Sequence, residues 1–282
     1  MDFRTAPPSR GLAWFQSSLR MLDKNPRGLL SITLVFVLLD QLPNLFYAVP
    51  AASGLLSMLV LLSFPALWGG MLHAIGEAKA GRPVSPLQLF EGLRRPGARA
   101  QLLLLGVLVL GAMLLVALAF QRILGAQDIA VLMKLAAQTL APDSAQVQQM
   151  LTPLLHAVMA AAVILFVLLS GLFFAVPRVM FDGRGAFGAF AESIRACAAN
   201  VLSLTVYGLV YMFAGFVVFV ALLIVGAVLG LLGTVGTLLF FAIAIAAWVL
   251  LLLVNGAGNY LAWEEVFAHV DAGTPTITGI AA

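Results

Sequence analysis

Six apolar segments of bilayer length, residues 28–47, 55–75, 101–120, 154–176, 201–225 and 237–260, leave little of the chain for anything but a membrane-spanning bundle. Each runs for about 20 residues or more, which is what a helix needs to cross a hydrocarbon core about 30 Å thick. In lipid, backbone N–H and C=O groups must be satisfied within the segment, so continuous apolar runs read as helices. A barrel would instead show short alternating segments. The composition agrees: 62% of residues are hydrophobic and only 10% charged. The expected fold is an all-α polytopic membrane protein, a single integral membrane domain over residues 1–282. Its six transmembrane helices form three hairpins, each preceded by a short amphipathic in-plane helix.

Six spans put both termini on one side. With the N-terminus in the cytoplasm, segments 1–27, 76–100, 177–200 and 261–282 lie inside and carry thirteen of the fifteen Lys and Arg residues. Only Arg122 and Lys134 fall outside. Such an excess in short loops sets orientation, so both termini are expected to be cytoplasmic. Residues 261–282 hold no Lys or Arg, and parity alone places them. The net charge of +3 is therefore a topology signal that also favours anionic lipid at the inner leaflet, and nucleic acid is not an expected partner. The single cysteine, Cys197, excludes a disulfide framework. Ala48-Val49-Pro50-Ala51 has the look of a signal cleavage site, but 27 residues precede the first apolar run. That run is also too long for an h-region, so cleavage is not expected.

The polar segments repeat. Leu12, Phe15, Leu19 and Leu22 recur at helical spacing, with Ser9 as the expected N-cap. Phe187, Phe190, Ile194 and Cys197 show the same offsets. Ser18-Leu19-Arg20 and Asn25 match Ser193-Ile194-Arg195 and Asn200 at a displacement of 175. Pro86 to Arg95, around Leu89, Leu93 and Arg94, is a weaker copy. The shared Ser, Arg and Asn go beyond what amphipathicity demands, so the unit reads as an in-plane helix plus a two-span hairpin, used three times. Arg20 and Arg195 either hold lipid phosphates or snorkel from a helix flank. On the outside, segment 121–153 carries one apolar stripe through Ile129, Leu132, Met133, Ala136 and Leu140. A second runs through Val147, Met150, Leu151, Leu154 and Leu155. Two helices lying on the outer leaflet or capping the bundle are expected, separated by Pro142-Asp143-Ser144. Gly226, Gly230, Gly233 and Gly236 mark the turn between spans 5 and 6, with Gly226 and Gly230 in a small-xxx-small packing pattern.

No chemistry-bearing constellation emerges. Gly183-Arg184-Gly185-Ala186-Phe187-Gly188 matches G-x-G-x-x-G, but a membrane span rather than a strand precedes it. It reads as a turn into the in-plane helix. His73, His156 and His269 are too dispersed for a metal motif, and no nucleophile elbow occurs. No metal, cofactor or enzymatic activity is expected. Asp40 is the one acid inside an apolar span. Either it is a proton or cation site, or span 1 loosens at Gln41–Pro43 and leaves it near the outer interface. Tyr207 and Tyr211 on span 5, with Asn255 and Asn259 on span 6, make a polar concentration near the inner end. It serves either for helix–helix hydrogen bonding or as a cleft able to hold a lipid head group. Tyr260 and Trp263 look like an interfacial aromatic belt.

Several short motifs carry a resemblance. Trp14-Phe15, Leu19-Arg20, Asn25-Pro26, Phe64-Pro65-Ala66, Pro177-Arg178-Val179, Phe181-Asp182-Gly183, Ser193-Ile194-Arg195-Ala196-Cys197 and Tyr207-Gly208-Leu209-Val210 resemble an uncharacterised proteobacterial inner-membrane protein family. Trp263-Glu264-Glu265-Val266-Phe267 is similar to that family's Tyr-Arg-Asp-Ile/Val-Phe ending, with Glu264 where a basic residue is usual. The resemblance implies a six-helix, multi-pass protein of the bacterial inner (plasma) membrane with no assigned activity. A fainter likeness is to membrane domains attached to glycerophosphodiester phosphodiesterases, although no phosphodiesterase residues are present. The expected role is a non-enzymatic envelope protein contacting lipid, or a protein partner or second copy, through its cytoplasmic in-plane helices. The alternative is a small-solute or ion transporter using Asp40.

Overall fold

The computed structural model describes residues 3–137 and 145–268. Helix α1 (Ser9–Met21) precedes the first hairpin, α2 (Pro26–Gln41, prolonged by a 3-10 turn over Leu42–Phe46) and α3 (Pro50–Lys79). A 3-10 turn (Pro86–Phe90) and the one-turn α4 (Glu91–Arg94) precede the second: α5 (Pro96–Ile123), the short α6 (Ala126–Ala136) and α7 (Ala145–Asp182). Helix α8 (Ala186–Ala199) precedes the third, α9 (Val201–Gly230) and α10 (Gly233–Trp263), which closes in a π-helical turn over Glu264–Ala268. Six helices are long and apolar enough to cross a membrane: Pro26–Phe46, Pro50–Lys79, Pro96–Ile123, Val147–Asp182, Val201–Gly230 and Gly233–Phe267. The all-α polytopic fold expected from the sequence is the one observed.

Local sequence accounts for the breaks. Asn25 accepts a hydrogen bond from the Gly28 N–H at 3.2 Å and Pro26 opens α2, a capped start with proline where no N–H is needed. Pro43 cannot donate to the helical ladder, and the last turns of the first span tighten to 3-10 there. Gly183 and Gly233, with φ of +66° and +61°, make the sharp reversals into α8 and α10. The GxGxxG segment is thus a turn and helix start, as read from the sequence.

Some expectations shift. Pro8, not Ser9, precedes the first helical residue of α1, and no side chain caps it, because Pro7-Pro8 already supplies the required φ. The weak middle copy is a 3-10 turn plus a single helical turn rather than a full in-plane helix. The second outer stripe is not a separate helix: α7 runs unbroken through Pro153 and Pro177 for 38 residues. At about 1.5 Å per residue that exceeds the bilayer core. The turn between the last two spans is shorter than expected, only Leu231-Leu232 separating α9 from α10. There Gly226 faces Phe240 and Gly236 faces the Leu229 carbonyl, while Gly230 meets nothing. Leu140, Pro142, Asp143, Ser144 and His269 lie outside the described residues.

The packing has a cyclic order. The second helices of the three hairpins, α3, α7 and α10, touch one another at the centre. Helix α2 packs between α3 and α10, and α5 between α3 and α7. Each leading element docks on the hairpin before its own: the Pro86–Arg94 element on α3, α8 on α7, and α1 around the ring on α9 and α10. Small residues permit these close approaches, since association within lipid relies on packing rather than on exclusion of water. A Cβ on Gly11 would strike the Ser203 carbonyl of α9, and one on Gly92 the Ala66 carbonyl of α3. The closure of the ring is polar as well. Glu265 accepts from Arg10 Nε and Nη2 at 2.7 and 2.6 Å and from Trp14 Nε1 at 2.8 Å.

One place breaks the order. By analogy with α2 and α5, α9 would wedge between α10 and α7. It packs on α10 and α1 but stands away from α7, and its most apolar stretch has no buried residue.

Candidate functional site

Where α9 parts from α7, a groove of about 800 Å³ opens sideways. Phe166, Leu169 and Phe173 of α7 form one wall, and Leu204, Gly208 and Met212 of α9 the other. Ile194, Cys197 and Ala198 of α8 close the end that carries the leading elements. That end holds thirteen of the fifteen basic residues and is the basic end of the bundle. The groove lies within two membrane-spanning helices, so hydrocarbon is the medium at its opening.

Three of the residues singled out in the sequence meet at its floor. Tyr207 and Tyr211 donate their hydroxyls to the backbone carbonyls of Asn255 and Leu251, at 3.4 and 3.0 Å, and their rings stack 6.3 Å apart. The half-buried Asn255 amide lines the groove and makes no hydrogen bond among the described residues. Asn259, one turn on, serves elsewhere: its amide donates to the Phe173 carbonyl at 2.8 Å and accepts from Trp68 Nε1 at 3.3 Å. The expected polar cleft therefore divides into a helix-joining Asn259 and a groove-facing Asn255. Burial pushes the Cys197 thiol up to about 12, even though it lies beside Ser193.

Arg20 and Arg195 are both exposed, and neither forms an ion pair among the described residues. The apolar stripes that accompany them turn partly outward, as in-plane helices require, and a second face packs against the protein. In α1 the buried face is Gly11, Trp14, Ser18 and Met21, while Leu12 and Leu19 are exposed. In α8 the buried face is Ala186, Ala189, Ser193, Ala196 and Cys197, while Phe187 and Ile194 are exposed. Gly11, Ala186, Ala189 and Ala196 on the inward faces let the helices pack closely, as small side chains do in a membrane, and Trp14 and Met21 are buried beside them in α1. Tyr260 and Trp263 are no interfacial belt. Trp263 is buried, its ring 4.6 Å from Phe181 and its Nε1 donating to Asp182 at 3.3 Å, and Tyr260 packs edge-on against Phe181.

Asp40 sits exposed at the far end of α2, accepting from the Gln41 amide at 2.9 Å, with Asn44 donating to Gln41 at the same distance. His156 is exposed, and His73 is half-buried with Nε2 4.0 Å from Glu77. His73 and Glu77 belong to a second cavity of about 490 Å³, lined also by Arg82, Arg95, Tyr260 and Glu264 at the basic ends of the central helices. Its charges largely answer one another: Arg82 pairs with Glu77, and Lys79 with Glu264. Among the described residues no group of three metal-binding side chains comes together.

A further cluster centres on Arg178 and Asp182, which stand out in the sequence only as members of short motifs. Arg178 is buried at the end of α7, donating to Asp182 at 2.7 Å and to Glu192 of α8 at 2.9 Å, with its guanidinium 4.5 Å over the Phe267 ring. Comparison of the chain with protein-family models, with curated proteins and with solved structures found no match in any of the three.

Proposed function

We propose that this integral membrane protein is a non-catalytic component of a bacterial inner membrane, with both termini cytoplasmic, that engages anionic lipid through α1 and α8. The supporting observation is the paired surface of the two helices. Leu12, Leu19 and Arg20 on α1 and Phe187, Ile194 and Arg195 on α8 stand 175 residues apart, all exposed. Large apolar side chains beside a free guanidinium suit the boundary between acyl chains and phosphates. Each basic residue held near an anionic surface adds about 1 kcal/mol of attraction.

The test uses the full-length protein in nanodiscs of graded phosphatidylglycerol content. The melting temperature should rise with the anionic fraction, and the rise should shrink at high salt. Arg20→Glu/Arg195→Glu should lose that dependence while melting like the wild type in neutral lipid. An identical dependence in the variant refutes the reading.

A further inference from the structure

We infer that the groove between α7 and α9 is a binding site for one acyl chain of a diacyl phospholipid whose phosphate lies at Arg195. This rests on the lipid-engaging reading of the basic end and adds a defined site to it. Four observations converge. First, the equivalent seams elsewhere in the ring are filled by protein, α2 between α3 and α10 and α5 between α3 and α7, whereas this one is left open. Second, its walls are almost wholly apolar and its mouth faces the bilayer, where acyl chains are the only abundant occupant. Gly208 contributes to the emptiness, with nothing within 4 Å of where a Cβ would stand.

Third, the end of the groove has the charge that a phospholipid requires. Ile194, Cys197 and Ala198 lie on the groove face of α8, and Arg195 follows on the flank of that face, exposed and without an ion pair among the described residues. A chain entering from this end therefore has a guanidinium available where its phosphate emerges. Fourth, the Asn255 amide lies beside Tyr207, six residues along α9 from Val201, or about 9 Å at 1.5 Å per residue. It is a polar group in an apolar lining with no partner among the described residues. An ester carbonyl or glycerol oxygen drawn into the groove would satisfy it, which a pure hydrocarbon would not.

The probe is a phospholipid carrying a photoactivatable diazirine on one acyl chain, loaded into nanodiscs with the full-length protein; a parallel sample receives the matching diazirine fatty acid. After irradiation, peptides from 166–173 and 204–212 should carry the phospholipid label. Gly208→Phe, which fills the groove from an open position, should lose most of that label and keep the wild-type melting temperature. Arg195→Gln should reduce phospholipid labelling several-fold and leave fatty-acid labelling unchanged. Labelling of Gly208→Phe at the wild-type level, or equal labelling of the outward faces of α2 and α5, overturns the site in favour of ordinary annular lipid. Equal labelling by both probes with no effect of Arg195→Gln overturns the assignment of the phosphate and makes the occupant a free fatty acid. The melting response to phosphatidylglycerol separates the two levels. If it persists without groove labelling, only the groove inference falls. If it vanishes while the label stays, only the surface reading falls.

Discussion

Arg178 shows how one residue can hold three elements. Its fork reaches Asp182 on its own helix and Glu192 on α8, and its plane covers Phe267 at the end of α10. Removing one member of a buried ionic cluster leaves the others uncompensated, typically at a cost of about 3–5 kcal/mol. Arg178→Met should therefore lower the melting temperature of the detergent-purified protein sharply. Arg178→Lys should recover part of the loss, because it keeps the charge but not the planar fork. A melting temperature unchanged in the methionine variant would show that the cluster is dispensable. The sequence shows Arg178 and Asp182 one helical turn apart within short motifs, but not that the pair joins three elements, since Glu192 and Phe267 lie 14 and 89 positions away. Cys197 yields a second expectation. Burial raises its thiol from 9.0 to about 12, so it stays neutral at pH 8 and should react with maleimide far more slowly than after denaturation in SDS. An acid whose folded value is raised contributes stability below pH 9 that is lost progressively as pH climbs towards 12. Rapid labelling of the folded protein at pH 8 would contradict this.

At the scale of the element, the 175-residue repeat was legible, but the face on which it acts was not. Gly11 and Ala186, Trp14 and Ala189, Ser18 and Ser193, Met21 and Ala196 are buried in register, and α2 and α9 both start at the position that the offset requires. The apolar stripes of these in-plane helices were expected to meet lipid, and Leu12, Leu19, Phe187 and Ile194 are exposed as that requires. The opposite, packed face went unread because in lipid both faces of a helix can be apolar, and small residues such as Gly11, Ala186 and Ala189 mark it by letting backbones approach. This division of faces is open to measurement. Gly11→Val places a branched side chain against the Ser203 carbonyl, an overpacking that typically costs about 1–3 kcal/mol. Leu12→Ala alters an exposed position, where effects usually stay within about 0.5 kcal/mol. The valine variant should melt well below the alanine variant in detergent. The opposite order would put Leu12 rather than Gly11 on the packed face. Asp40 belongs to this scale too: it sits exposed where α2 gives way to 3-10 geometry, so Asp40→Leu should leave the melting temperature nearly unchanged.

At the scale of the whole molecule, the six spans were written plainly in the sequence, while their mutual arrangement was not. Hydropathy marks which segments cross the bilayer, but it carries no information about which hairpin a leading element docks on. Here that choice is made by Gly11, by Gly92 and by Glu265 meeting Arg10 and Trp14 from the opposite end of the chain. The arrangement nevertheless fixes a relation that fusions can test. The leading elements all dock at one end of the ring, together with the thirteen basic residues, and α6 lies at the other with Arg122 and Lys134. Loops at Gly81 and Gly188 must therefore share a side, and the end of α6 must lie across the membrane from both. The excess of Lys and Arg predicts that the shared side is the cytoplasm. Alkaline phosphatase folds to an active enzyme only outside it, so fusions after Ala137 should be active and fusions after Gly81 and Gly188 inactive. Activity after both glycines and none after Ala137 would keep the ring but invert it in the membrane, taking α1, α8 and the groove mouth to the outer leaflet. Activity after only one of the glycines would break the hairpin order itself, because no ring of three hairpins can place those two loops on opposite sides.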